Sequence, residues 1–521
     1  MTLSRYKICF NTQVHMKNLA NTIYIYNHLK IHYSGKISTH IFVNRVGSKS
    51  SSFNSYRKSF SQLCIERKAE AHRSILVKLN NKEESNYVYH YCQQFGKIAN
   101  AMHFQNVKNY VLIEFKKQSC IPNLLSSVSH FQNDKKIPAE TRLLCLPSQF
   151  SKKKTEIPSG SSLVRSIEET PLLLSDLAAV DSMTEQMEML YQHLQLTDLG
   201  QRLRFFICST LEDMLKSLFP HCHVYPFGSS VNGFGRNSCD LDMILNLCTS
   251  KSQENTNNRL KFLTKLKHDE EERSFSCRNL KVFAEMIENF IPSCVRINPI
   301  LRARVPIIKF YHEACDIECD LSLQDTSGVT MSNVMYMLGV MDRRVCPLVF
   351  TVRHWAKVNN ISHQHPGPWL SNFMLSLLVI CFLQLRAKPI LPSFSSILNA
   401  KENAQPTDVT TVDDETLVGD LLIEFFNFYS VFDFKQHALS PLHGKCFLKP
   451  DYSALYIENP LDIELNIAKN VSNREMMKLT ETFKTTLWHL NNSGMSLVNI
   501  FLTEDSKRVL KKKFNVHDLY R

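Results

Sequence analysis

The first 65 residues contain no aspartate or glutamate, although nine lysines and arginines fall within them. An ordinary surface of mixed charge is thereby excluded for this segment. A basic, acid-free stretch rich in Ser and Asn has the composition of an organellar transit leader, and residues 1–65 are expected to direct the chain to the mitochondrial matrix. The leader takes up most of the net charge of +12, leaving the remainder at only +3. A global positive field is therefore absent, and any nucleic-acid contact must come from local patches. The 16 cysteines include no CxxC pair and no zinc-finger spacing, which argues for reduced thiols and against a disulfide framework or structural zinc. His221-Cys222-His223 carries both ligand types, but adjacent residues rarely chelate one ion. Long apolar runs are also missing. The most apolar stretch, Trp369 to Leu385, is interrupted by Ser371, Asn372, Ser376 and Gln384, and it falls short of the roughly 20 residues a membrane span requires. A buried helix is expected there, and no membrane span.

What is present centres on FGSSVNGFGRNSCDLDMILNL, Phe227 to Leu247. A Gly-Ser pair opens it, a short loop follows, and an apolar run carries Asp240 and Asp242. Strand side chains alternate, so these two aspartates share a face while Leu241 and Met243 point to the other. Two carboxylates on one face repel unless a cation lies between them, and Mg²⁺, which prefers oxygen ligands, suits that place. Gly228 allows close backbone approach to a ligand, and Ser229 and Ser230 can donate to phosphate oxygens.

The 521 residues have room for two or three domains, and 44% hydrophobic content fits a globular core. Residues 72–132 read as strand, helix, strand: Ile75 to Leu79, Ser85 to Phe95, then Tyr110 to Phe115, with Gly96 placed as a helix C-cap. They form a small module similar to the RNA-recognition motif. Leu76 and Leu112 stand where base-stacking aromatics are usual, so the sheet face is expected to serve self-association or packing, with a homodimer through this module. Residues 133–181, rich in Lys, Ser and Pro, read as a linker. Helical spacing then runs through Leu190, Leu194, Leu203, Phe206 and Leu211 over residues 182–219. After the aspartate strand a polar excursion is expected from Thr249 to Arg278. A second β-region, Val305 to Leu323, places Asp316, Glu318 and Asp320 on one face. Arg353 and Lys357 lie four apart on a predicted helix and share a face. The last segment, 506–521, is a basic tail with Lys511-Lys512-Lys513.

Gly-Ser, a short spacer and Asp-x-Asp resemble the signature of the polymerase-β-like nucleotidyltransferases. With Asp320 in its Cys-Asp-Leu context, His354-Trp355-Ala356-Lys357, Leu370-Ser371-Asn372-Phe373, Tyr456-Ile457-Glu458-Asn459-Pro460 and Leu465-Asn466-Ile467, the chain from about Thr184 to Ser472 resembles the family of poly(A) polymerases and terminal uridylyltransferases within that superfamily. Leader and module together are similar to its mitochondrial members. The resemblance implies an α+β fold: a nucleotidyltransferase palm sheet over residues 220–330, with an interleaved helical domain continuing over 331–505. It also implies a template-independent RNA 3′-adenylyltransferase that uses ATP with Mg²⁺ or Mn²⁺ on single-stranded RNA ends.

Carried over by position, Asp240, Asp242 and Asp320 become the metal ligands of a two-ion site. Phe227, Gly228 and Ser229 form the phosphate-binding loop. Arg353 and Lys357 bind phosphate as well, and Asn372 replaces a Ser that contacts phosphate. Phe373 stacks on the nucleobase, keeping a ring where relatives have Tyr. Leu465 and Asn466 lie beside the base; an apolar residue at 465, where uridylyl-selective members carry His, favours ATP over UTP. Gln324, Asp325 and Met331 depart from the family's polar residues near the ribose. The competing readings are a uridylyltransferase of the same fold and a catalytically weak RNA-binding scaffold.

Overall fold

A computed structural model describes residues 58–130, 140–145, 165–166, 174–217, 219–247, 270–323, 326–363, 365–399, 415–492 and 496–501. The leader before residue 58, most of the linker, the Gln324–Asp325 pair and the basic tail lie outside the described residues. The chain divides into two compact units, Met1–Leu63 and Cys64–Arg521; the architecture below is that of the second.

The module opens with β1 (Ser74–Leu79), a helix over Glu84–Gln93, β2 (Ile98–Gln105) and β3 (Asn109–Phe115). After a short helix, Cys120–Leu125, come the short strands β4 (Ser129–His130), β5 (Leu143–Cys145) and β6 (Arg165–Ser166), and the sheet order is β4-β5-β1-β3-β2-β6. Strand β2 was not expected: its Ala, Asn, His and Gln residues dilute the apolar alternation by which a strand is recognised. Alternation sends Ile75, Val77, Val111 and Ile113 to one face, where they pack with Val88 and Leu124 of the module's own helices.

The opposite face serves the packing alternative of the two expected for it. Leu76 and Leu112, 0% and 3% exposed, share one core with Met102, Phe104 and Tyr110 of the same sheet and with Leu203, Phe206 and Ile207 of the palm. The ringless face is a packing surface within the chain and is not open to a second copy. Charges secure the docking: Glu114, 3% exposed, receives Arg202 at 2.6 Å and Arg73 at 2.5 Å. Arg142 meets Asp213 at 2.8 Å, and Lys68 meets Glu212 at 2.7 Å.

The palm sheet contains β7 (Cys222–Phe227), β8 (Leu241–Leu247), β9 (Cys294–Ile300), β10 (Ile307–His312) and β11 (Ile317–Leu323), in the order β7-β8-β11-β10-β9. The helices Asp198–Lys216 and Glu272–Phe290 cover its apolar side with Phe206, Leu211, Phe283 and Ile287. The latter helix begins at Glu272, so the polar excursion ends earlier than its composition suggested.

The helical domain is interleaved with the palm. The Met183–Leu194 helix, with buried Met187 and Leu190, packs with the C-terminal helices, whereas its neighbour Asp198–Lys216 belongs to the palm core. Its longer helices further along the chain are Ser327–Met341, Val345–Val358, Asn372–Leu385, Val418–Val431 and Asn473–Asn492. Trp355 and Phe483 stack at 5.3 Å near the centre. Asn372–Leu385 is the expected buried helix; Ser371 caps it, accepting from the Met374 amide at 3.2 Å. Two hairpins, β12 (His437–Ser440) with β13 (Lys445–Leu448) and β14 (Glu458–Asn459) with β15 (Asp462–Asn466), complete the domain. Among the described residues, no helix is long and apolar enough to cross a membrane, and every cysteine is a free thiol.

Candidate active site

The parallel pairing of β8 with β11 sets Asp242 opposite Asp320. Leu241, Met243, Cys319 and Leu321, which alternate with them, are fully buried in the palm core, so the two carboxylates are held on the other face by the packing of their neighbours. Asp240 stands one residue before β8 and is exposed. Burial pushes the Asp242 carboxyl up to about 7, with Asp320 and Asp240 adding repulsion and Lys309 opposing it. Asp320 is also raised, first by burial and against the pull of Lys309.

Gly228 closes the site from above. Phe227 pairs with Asp242 across β7 and β8, and the chain then turns through Gly228 at φ +66. A Cβ there would lie 2.8 Å from Asp242 Oδ2, so only glycine lets the loop and the carboxylate coexist. The Gly228 amide donates to Ser332 Oγ at 2.6 Å, and the Phe227 ring packs on Gly328. Ser230 is buried and donates to the Asp240 carbonyl at 3.3 Å, whereas the Ser229 side chain is part-exposed. Ser229 is thus the better placed of the two for an incoming anion.

Two of the expected nucleotide contacts are engaged by the protein itself. Arg353 is 8% exposed and its guanidinium is taken up by protein acceptors: Nε to Ser376 Oγ at 2.9 Å and the Asn372 carbonyl at 3.1 Å, and Nη1 to the Phe234 carbonyl at 2.6 Å. It fastens the glycine loop to the start of the Asn372–Leu385 helix. Burial, with the nearby Arg236, lowers its pKa to about 9. Asn466, 7% exposed, is saturated in the same way. Its Oδ1 accepts from the Ile457 and Ala468 amides at 3.1 and 2.8 Å, and its Nδ2 donates to the Leu455 carbonyl at 2.9 Å and Ser453 Oγ at 3.1 Å. These four bonds hold the loop around it. Lys357 and Asn372 are exposed, while Phe373, Leu465 and Met331 are part-buried. Leu465 lies on β15, which an Arg304–Asp462 ion pair of 3.2 Å ties to the palm.

Sequence reasoning missed two residues. Arg204, 1% exposed, donates to the carbonyls of Gly200, Asn237 and Cys239 and so pins the loop just ahead of Asp240. Lys309 on β10 sits opposite Asp320 in the strand register, with its ammonium 3.4 Å from Asp320, 3.9 Å from Asp240 and 3.1 Å from Glu318. Burial works against that ammonium, but Glu318 and Asp320 raise its pKa above the ordinary value. Glu318, which the sequence placed on the same face as Asp320, is therefore a partner of Lys309. Asp316 lies outside the strand, in the β10–β11 turn at φ +56, where it accepts from the Tyr311 hydroxyl. The alternation of β10 could have flagged Lys309, but only the register shows what it faces.

Three carboxylates on adjoining strands make a hard-oxygen donor set that suits Mg²⁺ or Mn²⁺. Among the described residues, no three acidic, His or Cys groups converge closely enough to ligate an ion as they stand; the Lys309 ammonium lies among the carboxylates.

Palm sheet, glycine loop and paired aspartates define a nucleotidyltransferase. Comparison with known proteins narrows this. Residues 183–339 match the family model for the central palm domain of "Poly(A) RNA polymerase, mitochondrial-like", residues 418–467 that of "Cid1 family poly A polymerase", and residues 59–129 an "RL domain". The poly(A) RNA polymerase, mitochondrial, of Homo sapiens is 33% identical over 496 residues, covering 88% of this chain and 84% of its own. That of Drosophila melanogaster is 33% identical over 475 residues, covering 84% and 77%. A crystal structure of mtPAP in complex with ATPgammaS superposes with a TM-score of 0.75 at 29% identity, over 85% of this chain and 99% of the other. The chain belongs to the mitochondrial poly(A) RNA polymerase family, and it is a poly(A) polymerase.

Proposed function

We propose that this enzyme extends the 3′ ends of single-stranded mitochondrial RNAs with adenylate from ATP, without a template, in the matrix. The observation that carries the reading is the Asp242–Asp320 register beneath the Gly228 loop, with Asp240 at the strand mouth. The names of the relatives and the acid-free leader support a mitochondrial location, and the matrix is part of the proposal.

Asp240, Asp242 and Asp320 would hold Mg²⁺ or Mn²⁺, as a pair of ions in this reading. Bound there, the ions supply Lewis-acid activation of the RNA 3′-hydroxyl and neutralise the departing pyrophosphate. The chain's own groups do the positioning. Ser229 and the backbone after Gly228 receive the triphosphate, Lys357 adds a cation, and the Phe373 ring offers a face to the base. Arg353 acts at one remove, by holding the glycine loop against Asn372. A homodimer through the module would have to use a surface other than the Leu76–Leu112 face, which is buried within the chain, and the reading does not depend on it.

The discriminating experiment offers a short single-stranded RNA each of the four NTPs singly, with Mg²⁺ or Mn²⁺, beside Asp240→Ala and Asp320→Ala. Extension with ATP alone, abolished by both substitutions, is the expected result. mtPAP has been crystallised with ATPgammaS, UTP, CTP and GTP, so extension must be scored and not binding. Extension chiefly with UTP would favour the uridylyltransferase reading, and none from folded protein would favour the scaffold.

A further inference from the structure

The ammonium of Lys309 is the cation at the centre of the carboxylate cluster. It lies 3.1 Å from Glu318, 3.4 Å from Asp320 and 3.9 Å from Asp240, and the β10–β11 register fixes its strand position directly opposite Asp320. Glu318 is on β11 two residues before Asp320, hence on the same face, and Arg296 reaches its other oxygen at 3.6 Å. One flexible lysine thus spans two catalytic carboxylates and one acid outside the proposed metal triad. A divalent ion and an ammonium cannot both occupy the space among Asp240 and Asp320, because both demand the same lone pairs and repel each other.

We propose that Lys309 is a built-in counter-ion that holds the cluster together before the divalent ions arrive, and that the metal must displace it toward Glu318 in order to bind. The inference rests on the metal-site reading above. Two consequences follow, with opposite signs. Without Lys309, the carboxylates lose their resident cation and metal meets no competitor. Without the Glu318 charge, the ammonium loses the acceptor to which it would retreat and stays on Asp320. Lys309 is a positioning residue here, acting on the ligands and not on the substrate.

The test is Mn²⁺ binding to the full chain without nucleotide or RNA, followed by calorimetry and by loss of the free-Mn²⁺ electron-spin signal. It is run at about pH 8, above the value of about 7 to which Asp242 is raised. Lys309→Met is expected to bind Mn²⁺ about tenfold more tightly than wild type, and its metal-free melting temperature to fall and recover as Mn²⁺ is added. Lys309→Arg, which keeps the charge, should restore wild-type affinity, and Glu318→Gln should weaken binding. Lys309→Gln, closer in polarity, stands in if the Met variant does not fold. Equal or weaker Mn²⁺ binding by folded Lys309→Met or Lys309→Gln, or tighter binding by Glu318→Gln, overturns the inference while leaving the metal site intact. Failure of the metal-site reading looks different: wild type would then bind no Mn²⁺, or Asp242→Asn would bind it as well as wild type.

Discussion

Asp242 and Asp320 stand opposite one another across the parallel β8–β11 pair, and this juxtaposition holds a repulsion that the fold tolerates for the sake of chemistry. The Asp242 carboxyl is raised from its ordinary 3.8 to about 7, chiefly by burial and then by Asp320 and Asp240. The folded state therefore holds a proton that the unfolded chain releases. The Asp242 contribution to stability should fall as pH rises from about 4 to about 7 and then level off. His72 and His354, lowered to about 4 by burial, contribute with the opposite sign over much of that range, so the Asp242 part is read as the difference between wild type and Asp242→Asn. At pH 8 without metal, Asp242→Asn should be more stable than wild type by on the order of 2 kcal/mol, yet inactive. Thermal melts with and without Mn²⁺ check this: the metal should stabilise wild type increasingly through that pH range and leave the Asn variant unmoved.

Gly228→Ala isolates the loop. Its backbone sits at φ +66 and the new methyl would come 2.8 Å from Asp242 Oδ2. Strain of about 1–2 kcal/mol is expected, with a loss of extension rate of at least about a hundredfold from the displaced carboxylate. Single-turnover extension measured beside a denaturation curve separates the two effects. Gly233→Ala, also in this loop, has no atom within 4 Å of the added Cβ and carries only the backbone strain of φ +84. It should lose stability with far less loss of rate.

Arg353 and Lys357 are four residues apart on one helix but do different work. Arg353→Ala would strand the buried Phe234 carbonyl and remove the guanidinium that bridges it to Ser376, whose own bond to the Asn372 carbonyl remains, costing about 2 kcal/mol of stability. Lys357→Ala, at an exposed position, should leave the melting curve within about 0.5 kcal/mol of wild type and raise KM for ATP about tenfold. Urea denaturation and steady-state kinetics on both variants distinguish these outcomes.

Leu465→His tests base choice. A ring nitrogen in place of an apolar side chain gives uracil a hydrogen-bonding partner, and the ratio of UTP to ATP incorporation should rise about tenfold. Single-nucleotide extension with each NTP is the measurement. An unchanged ratio would mean that Leu465 does not border the base.

The sequence alone determined the features that depend on local pattern. The period of two placed β8 and β11 and set Asp242 and Asp320 on their faces, with Asp240 just ahead of β8, because side-chain alternation is a property of any strand. The Gly-Ser pair announced a loop close to those acids, and the apolar density of Trp369 to Leu385 announced a buried helix. Only tertiary structure decided the rest. Whether the ringless sheet face of Leu76 and Leu112 would meet a second copy or its own palm depends on what packs against it, and no strand records its partner. The sequence could place Arg353 and Asn466 beside the nucleotide by position, but their hydrogen bonds to carbonyls and amides distant in sequence commit them to holding loops. Lys309 was invisible for the same reason. Its sequence context is an ordinary alternating strand, and its meaning comes from the register that brings an ammonium into the midst of carboxylates contributed by other strands.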